Sequence, residues 1–87
     1  MNQERRKTLA ALRDRMSDLQ SQVSTLITDL QDVIDEEQEY LDNMPESLQD
    51  GEKGQKAQAA IDLMDSLICD MTSFTDLDTG DLDTAAE

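Results

Sequence analysis

The chain has 87 residues, of which 32% are charged, and its formal net charge is −14. That charge argues against direct binding to nucleic acid or to an anionic membrane, because like charges repel. Only 2% of the residues are aromatic, and the chain has three glycines and one proline. The core must therefore come from aliphatic side chains on a few long elements, which favours helices packed on helices.

The single cysteine, Cys69, indicates the cellular compartment. One cysteine cannot form an internal disulfide, which fits a reducing environment. No run approaches the ~18 apolar residues of a membrane-spanning helix, and the N-terminus lacks the apolar core of a signal peptide. We therefore predict a cytoplasmic protein without a membrane partner.

A long first helix is predicted from the spacing of apolar residues, which recur every three or four positions from Leu9 to Met44 with one polar interruption at Glu37. With Leu9 at heptad position a, the pattern indicates one helix over about residues 2–43, roughly 60 Å long at ~1.5 Å per residue. In its first half only positions a and d are apolar. Successive e positions add three apolar residues in the second half: Ile27, Ile34 and Leu41. The apolar stripe of the predicted helix is therefore narrow in the first half, where it can pack on one partner helix, and wide in the second half, where it can pack on two.

A shorter second helix is predicted to follow Pro45, because proline disfavours helical geometry at the residue before it. This helix covers about residues 52–75. At roughly 33 Å it is half as long as the first, so we expect an antiparallel helical hairpin over the half with the wide stripe. We expect disorder in the acidic tail, residues 76–87, which leaves a helical domain over residues 1–75.

A homodimer is expected because the first half of the long helix has an apolar seam without predicted cover from its own chain. Five of the seven basic residues lie between Arg5 and Arg15, whereas the segment from Asp29 to Asp50 has nine carboxylates and no basic residue. An antiparallel coiled-coil dimer brings these opposite charges together, with Arg15 near Asp29 of the partner. The expected dimer seam comprises Leu9, Leu12, Met16, Leu19, Val23 and Leu26. The alternative is a monomer with a frayed N-terminus.

Catalytic and metal-binding patterns are weak. The chain has no histidine, and Cys69 lacks a neighbouring base in the sequence, so it is interpreted as a small, partly exposed residue. The spacing of Asp76, Asp78 and Asp81 only faintly resembles a calcium loop, which needs a later glutamate at the right distance. We predict that the protein is not an enzyme and has no catalytic residue, metal or cofactor.

The carboxylates of the long helix form regular rows at heptad positions c, f and g. They follow one another at about one per 3 Å of helix, which is close to the ~3.4 Å phosphate spacing of one DNA strand. A rigid negative rod of this kind fits a basic nucleic-acid-binding channel, and an ordinary solvated face is the alternative. The residues expected to bind a partner are Asp29, Asp32, Asp35, Glu36, Glu39, Asp42 and Glu46.

The segment DEEQEYLDNMPESLQ, which begins at Asp35, together with Glu52 and Gly54, resembles a group of short acidic helical proteins of bacteriophages, prophages and other mobile elements. Their shared pattern is roughly EEQE-a-x-x-N-x-PE-S/N-LQ-x-SE, where a is aromatic, after a basic N-terminus. The likeness covers about residues 2–70, although this chain has Asp-Gly where the group often has a serine before the glutamate. The group is mostly uncharacterised. The resemblance implies a mobile-element origin, a bacterial host cell and a helical hairpin, but no activity.

Taken together, these features predict a phage-type accessory protein that acts by binding. We expect an inhibitor that presents a DNA-mimicking acidic surface to a basic, nucleic-acid-binding host protein, such as a CRISPR or restriction component. Anti-CRISPR and anti-restriction proteins use this strategy, and the link is one of analogy. The alternatives are a structural coiled-coil adaptor or assembly module that uses an apolar groove, and an antitoxin-like regulator whose acidic tail folds on a basic toxin.

Overall fold

The computed structural model describes residues 2–87, and over that range the chain forms helices and no strands. The helices are α1 (Gln3–Asp42), α2 (Glu46–Gln49), α3 (Glu52–Thr75) and α4 (Gly80–Ala85). The molecule is a rod of 67 × 15 × 13 Å, and its length is set by the 40 residues of α1. The prediction of an all-helical fold built on one long helix is confirmed.

The two ends of α1 are determined by local sequence. Asn2 is the N-cap, and the backbone N–H of Arg5 donates to the Asn2 side-chain oxygen at 2.8 Å, which satisfies one of the free N–H groups of the first turn. At the other end Asn43 donates its N–H to the Glu39 carbonyl, and Pro45 then stops the helix. No glycine or proline lies between these ends, so α1 continues without interruption.

Gln49 and Gly54 build the corner between α1 and α3. The side-chain amide of Gln49 donates to the carbonyl oxygens of Met44 at 3.0 Å and of Leu41 at 3.4 Å, at the end of α1 where helical carbonyls lack full intrahelical partners. Gly54 is buried, and a Cβ at this position would clash with the Gln49 carbonyl oxygen. Two residues of the segment from Asp35 to Gly54 therefore have a structural role in this corner.

From the corner, α3 returns along α1, and few side chains are fully buried between them. In the part of the chain that the structure describes, the buried apolar side chains are Ile34, Ala57 and Ile61, at 5, 3 and 4% exposure. Along the whole of α1, from Leu9 to Met44, every a and e position is buried or half-buried, and every d position is exposed. The contact face of α1 is therefore its a/e side.

This a/e face differs from the a/d seam that the sequence predicts for the first half of α1. Three of the expected dimer-seam residues, Leu9, Met16 and Val23, are half-buried against the chain itself. The other three are exposed: Leu12, Leu19 and Leu26. Within the chain, the end of α3 and the helix α4 pack on the a/e side of this half of α1.

The tail, residues 76–87, is predicted from the sequence to be disordered, whereas the structure has helix α4 there, packed on the first half of α1. Arg13 donates from Nη1 to Oδ2 of Asp83 at 2.8 Å, and Arg6 donates from Nη2 to the Glu87 carbonyl oxygen at 3.0 Å. The hydrogen bond to Asp83 and the charge of its carboxylate raise the pKa of Arg13 above its ordinary value. Arg6 and Arg13, near the N-terminus, thus bind residues of the acidic tail.

Gln20 joins the end of α3 to α1. Its side-chain amide donates to the carbonyl oxygens of Phe74 at 3.1 Å and of Leu77 at 3.0 Å. The Phe74 carbonyl lies in the last turn of α3 and the Leu77 carbonyl just beyond it, where helical carbonyls lack their full set of intrahelical partners. A polar residue at position e therefore caps a helix that begins more than thirty residues later in the chain.

Candidate partner-binding surfaces

The seven acidic residues expected to bind a partner are all exposed: Asp29, Asp32, Asp35, Glu36, Glu39, Asp42 and Glu46. Six of them lie on α1, and Glu46 begins α2. Because successive helical residues turn by ~100°, position c of α1 points directly away from the a/e side, with f and g on either side of it. We call this set of seven the acidic face, and its α1 members lie on the side opposite α3.

Positive charge does not neutralise the acidic face. Within residues 2–87, none of its carboxylates forms an ion pair within 4.0 Å. The ion pairs there are Arg13–Asp14, Arg13–Asp83 and Lys56–Glu52. Two carboxylates of the face instead accept from neutral amides, Asp35 from Gln31 at 3.3 Å and Asp42 from Gln38 at 2.9 Å. These hydrogen bonds orient the carboxylates and leave their charge in place.

The basic residues of α1 are too distant to offset this charge. The last of them, Arg15, precedes Asp29 by fourteen residues, which is ~21 Å along a helix. At physiological ionic strength the interaction between exposed charges is screened over ~8 Å. The acidic face is therefore not offset by the basic residues of the same helix.

A second surface is apolar and consists of the exposed d positions of α1, which we call the d row. Its members and their exposures are Leu12 (41%), Leu19 (51%), Leu26 (52%), Val33 (47%) and Tyr40 (49%). Residues seven apart lie nearly in line on a helix, so the row extends ~42 Å at ~1.5 Å per residue. Its residues include three of the expected dimer seam, and Val33 and Tyr40 extend it towards the corner.

The d row ends at an open apolar pocket of about 570 Å³ beside the corner. The pocket is lined by Tyr40, Met44, Pro45, Leu48 and Lys53, among others. On the opposite side of the corner, a second pocket is lined mostly by amides and carboxylates. The two sides of the hydrogen-bonded corner therefore have opposite character, and the apolar one continues the d row.

Helix α3 adds apolar residues to the same side. Lys53 lines the pocket with Tyr40, and Leu67 follows Lys53 by fourteen residues, or about four helical turns, so it projects from the same side of α3. Leu63, one turn before Leu67, is 69% exposed, and Leu67 is 54% exposed. The d row and these two leucines form one apolar side of the rod.

The remaining features of the chain offer less evidence for a function. The thiol of Cys69 is free and exposed. Across residues 2–87, no three or more Asp, Glu, Cys or His side chains are grouped so as to hold a metal ion. No helix in that range combines the length and the apolar character needed to cross a membrane.

Comparison of the chain with protein-family models, with curated proteins and with solved structures gave no match. The acidic face and the d row are therefore the features from which function can be inferred.

Proposed function

We propose that this chain is a phage-type accessory protein that binds a basic, nucleic-acid-binding protein of a bacterial host and blocks its access to nucleic acid. CRISPR and restriction components are examples of such targets. The supporting observation is the acidic face: seven exposed carboxylates, none of them in an ion pair within residues 2–87. The protein acts by binding in the host cytoplasm, without catalysis, cofactor or direct contact with nucleic acid.

The fold supports this proposal by holding the charges rigid. Six of the seven carboxylates belong to one uninterrupted helix, whose opposite side packs on α3. A target channel that binds the acidic face does not have to order a flexible segment, so little affinity is lost to conformational entropy. Regular negative charge also steers a basic target into contact and raises the association rate.

In this proposal the acting unit is a helical hairpin of α1 and α3 that pairs with a second copy in an antiparallel dimer. Pairing doubles the number of acidic faces on one particle. A dimer therefore suits targets with two nucleic-acid-binding sites or one long channel.

The test replaces four carboxylates of the acidic face by isosteric amides: Asp32→Asn, Asp35→Asn, Glu39→Gln and Asp42→Asn. A host protein captured from a bacterial lysate at low salt is identified and purified. Its affinity for the wild-type chain and for the variant is then measured by fluorescence anisotropy. We expect the variant to bind at least about tenfold more weakly, or ~1.4 kcal/mol. Wild-type affinity should fall steeply between about 50 and 200 mM salt, and duplex DNA should compete.

A matched control removes the same number of charges from exposed residues elsewhere: Asp62→Asn, Asp65→Asn, Asp70→Asn and Asp76→Asn. This control changes the net charge equally but spares the acidic face, so its effect on affinity should be the smaller. Circular dichroism verifies that both variants remain helical. Equal affinity of the acidic-face variant and the wild type would refute the proposal.

A second function, a coiled-coil adaptor or assembly module, is favoured by the exposure of the d row. An adaptor binds through apolar contacts, so Leu12→Gln with Leu19→Gln would abolish target binding, and the acidic-face variant would leave it intact. The two variants therefore give opposite results for the two functions.

A further inference from the structure

We propose that the d row is the self-association surface of this protein, on which α1 of a second copy lies antiparallel, with the two-fold axis near Leu26. This inference rests on the homodimer of the proposed function and specifies its contact surface, orientation and register. It moves the interface from the a/d seam expected from the sequence to the d side of α1, because the a positions already pack within the chain.

The need for a partner follows from how little the single chain buries. In the described residues the buried apolar side chains are Ile34, Ala57 and Ile61, while nine large apolar residues are exposed. A chain of this size seldom obtains enough stability from so small a core without association. A contiguous apolar side ~42 Å long is also unusual on a monomer. The d row is the surface on which a second copy would complete the core.

The available area is sufficient for a stable dimer. The side of the rod that carries the d row, taken as 67 Å by 15 Å, measures about 1,000 Å², and a standard stable interface buries ~800 Å² per partner. The leucines of α3 on this side, Leu63 and Leu67, widen the apolar surface beyond α1 alone. Contact along most of the rod therefore meets the requirement, and contact at one end does not.

Charge complementarity selects the antiparallel orientation. The g positions beside the d row hold Arg15 in the first half of α1 and Asp29 and Glu36 in the second half. With the axis near Leu26, Arg15 lies opposite Glu36 of the second copy, and the N-terminal Arg5 lies opposite Glu46. A parallel pair would instead place each of these charges beside its own like charge, which is unfavourable.

The same register fills the apolar pocket. It brings Leu12 of one copy against Tyr40 of the other, at the mouth of the pocket that also exposes Met44 and Leu48. Leu19 then meets Val33, and Leu26 meets its own copy at the centre. Every member of the d row thus contacts an apolar residue of the second copy.

Most of the acidic face stays open in this dimer. Position c, at its centre, lies ~100° around α1 from position d, so the carboxylates at positions c and f of both copies remain in solvent. Glu36 and Glu46 border the interface, opposite Arg15 and Arg5 of the second copy. The four carboxylates that the acidic-face variant replaces lie outside the interface, so each surface can be removed without the other.

Disulfide cross-linking tests the orientation, in a Cys69→Ser background that removes the native thiol. Single cysteines are introduced as Leu26→Cys, Leu12→Cys and Tyr40→Cys, and the proteins are oxidised at about 10–100 μM. We expect Leu26→Cys to cross-link to itself. Leu12→Cys should not cross-link alone but should do so when mixed with Tyr40→Cys. Efficient self-cross-linking of Leu12→Cys would indicate a parallel dimer and overturn the proposal.

Sedimentation equilibrium without any target supplies a second measurement. We expect a dimer of the 9.8 kDa chain, and a dissociation constant raised about tenfold or more by Leu12→Gln, Leu19→Gln and Leu26→Gln. The control substitutes three exposed c and f residues, Ser21→Gln, Thr25→Gln and Thr28→Gln, and should leave dimerisation unchanged. A monomer throughout this concentration range would overturn the inference.

The two proposals fail separately. A monomeric protein whose target binding still depends on the acidic face would overturn the d-row dimer and keep the proposed function. If the protein dimerises through the d row but the acidic-face variant binds the target as well as the wild type does, the proposed function is overturned and the d-row dimer is kept.

Discussion

At the scale of single residues, Gly54 determines how closely α2 and α3 approach. A glycine near the start of a helix costs about 1 kcal/mol relative to alanine, so helix propensity alone favours replacement. The structure explains why glycine is nevertheless required here: a Cβ on Gly54 would overlap the carbonyl oxygen of Gln49. The same Gln49 caps the end of α1 through its side chain, so movement of α2 would disturb two helices.

We predict that Gly54→Ala lowers the free energy of unfolding by ~1–3 kcal/mol, since the α2–α3 contact must open to admit the methyl group. Urea denaturation followed by circular dichroism measures this at fixed protein concentration. The control is Gly51→Ala, whose added Cβ would lie 3.2 Å from the Leu48 carbonyl oxygen, and whose effect should be smaller. A gain in stability for Gly54→Ala, as at an open helical site, would contradict the close approach.

At the scale of elements, α4 depends on charges that come from the other end of the chain. Arg13 and Asp83 are 70 residues apart in sequence and are joined by a hydrogen bond of 2.8 Å. Since this contact raises the pKa of Arg13 above an already high ordinary value, the contribution of the Arg13 charge is lost as the pH rises through that elevated pKa. The Arg13 side of the contact is therefore independent of pH near neutrality, whereas added salt weakens it by screening.

We predict that Arg13→Gln speeds backbone hydrogen exchange of α4 several-fold, because the carboxylate of Asp83 loses its charged donor. Hydrogen–deuterium exchange with mass spectrometry resolves peptides from the tail. Arg15→Gln removes the same charge from a residue outside this contact and should leave exchange in α4 unchanged. Complete exchange of residues 80–85 at the earliest time in the wild type would instead support the disordered tail predicted from the sequence.

At the scale of the whole molecule, salt has two opposite effects. A chain with a net charge of −14 repels itself and any second copy, so screening favours the compact and associated states. Binding to a basic target depends on attraction between opposite charges and is weakened by the same screening.

We therefore predict that raising the salt concentration from about 20 to 300 mM increases the melting temperature measured by circular dichroism, while affinity for a basic target falls. The acidic-face variant removes four of the negative charges, from −14 to −10, so its melting temperature should respond less to salt. A melting temperature that falls with salt would mean that attractive ion pairs outweigh the repulsion.

Particular residues show how much of the structure the sequence predicts. The periodicity from Leu9 to Met44 predicts the long helix within one or two residues of its observed ends, and the second predicted helix matches α3. The exposure of the acidic residues also follows from their heptad positions. Arg13 and Gln20 are different, because they interrupt the apolar pattern at position e and yet lie on the contact face of α1.

The sequence by itself determined the features that depend on neighbours along the chain. These features are the two ends of α1, the residues that lie in line along it, and the position of its carboxylates on one side. Only the tertiary structure decided that the first half of α1, whose e positions are polar, also uses its a/e side within the chain. That choice depends on acceptors supplied from far along the chain, the Phe74 and Leu77 carbonyls and the Asp83 carboxylate. A heptad pattern reports only the spacing of apolar residues, so it contains no information about polar partners that are distant in the sequence. In this half the hydrogen bonds of Arg13 and Gln20 join α4 and the end of α3 to the a/e side, which leaves the d row exposed.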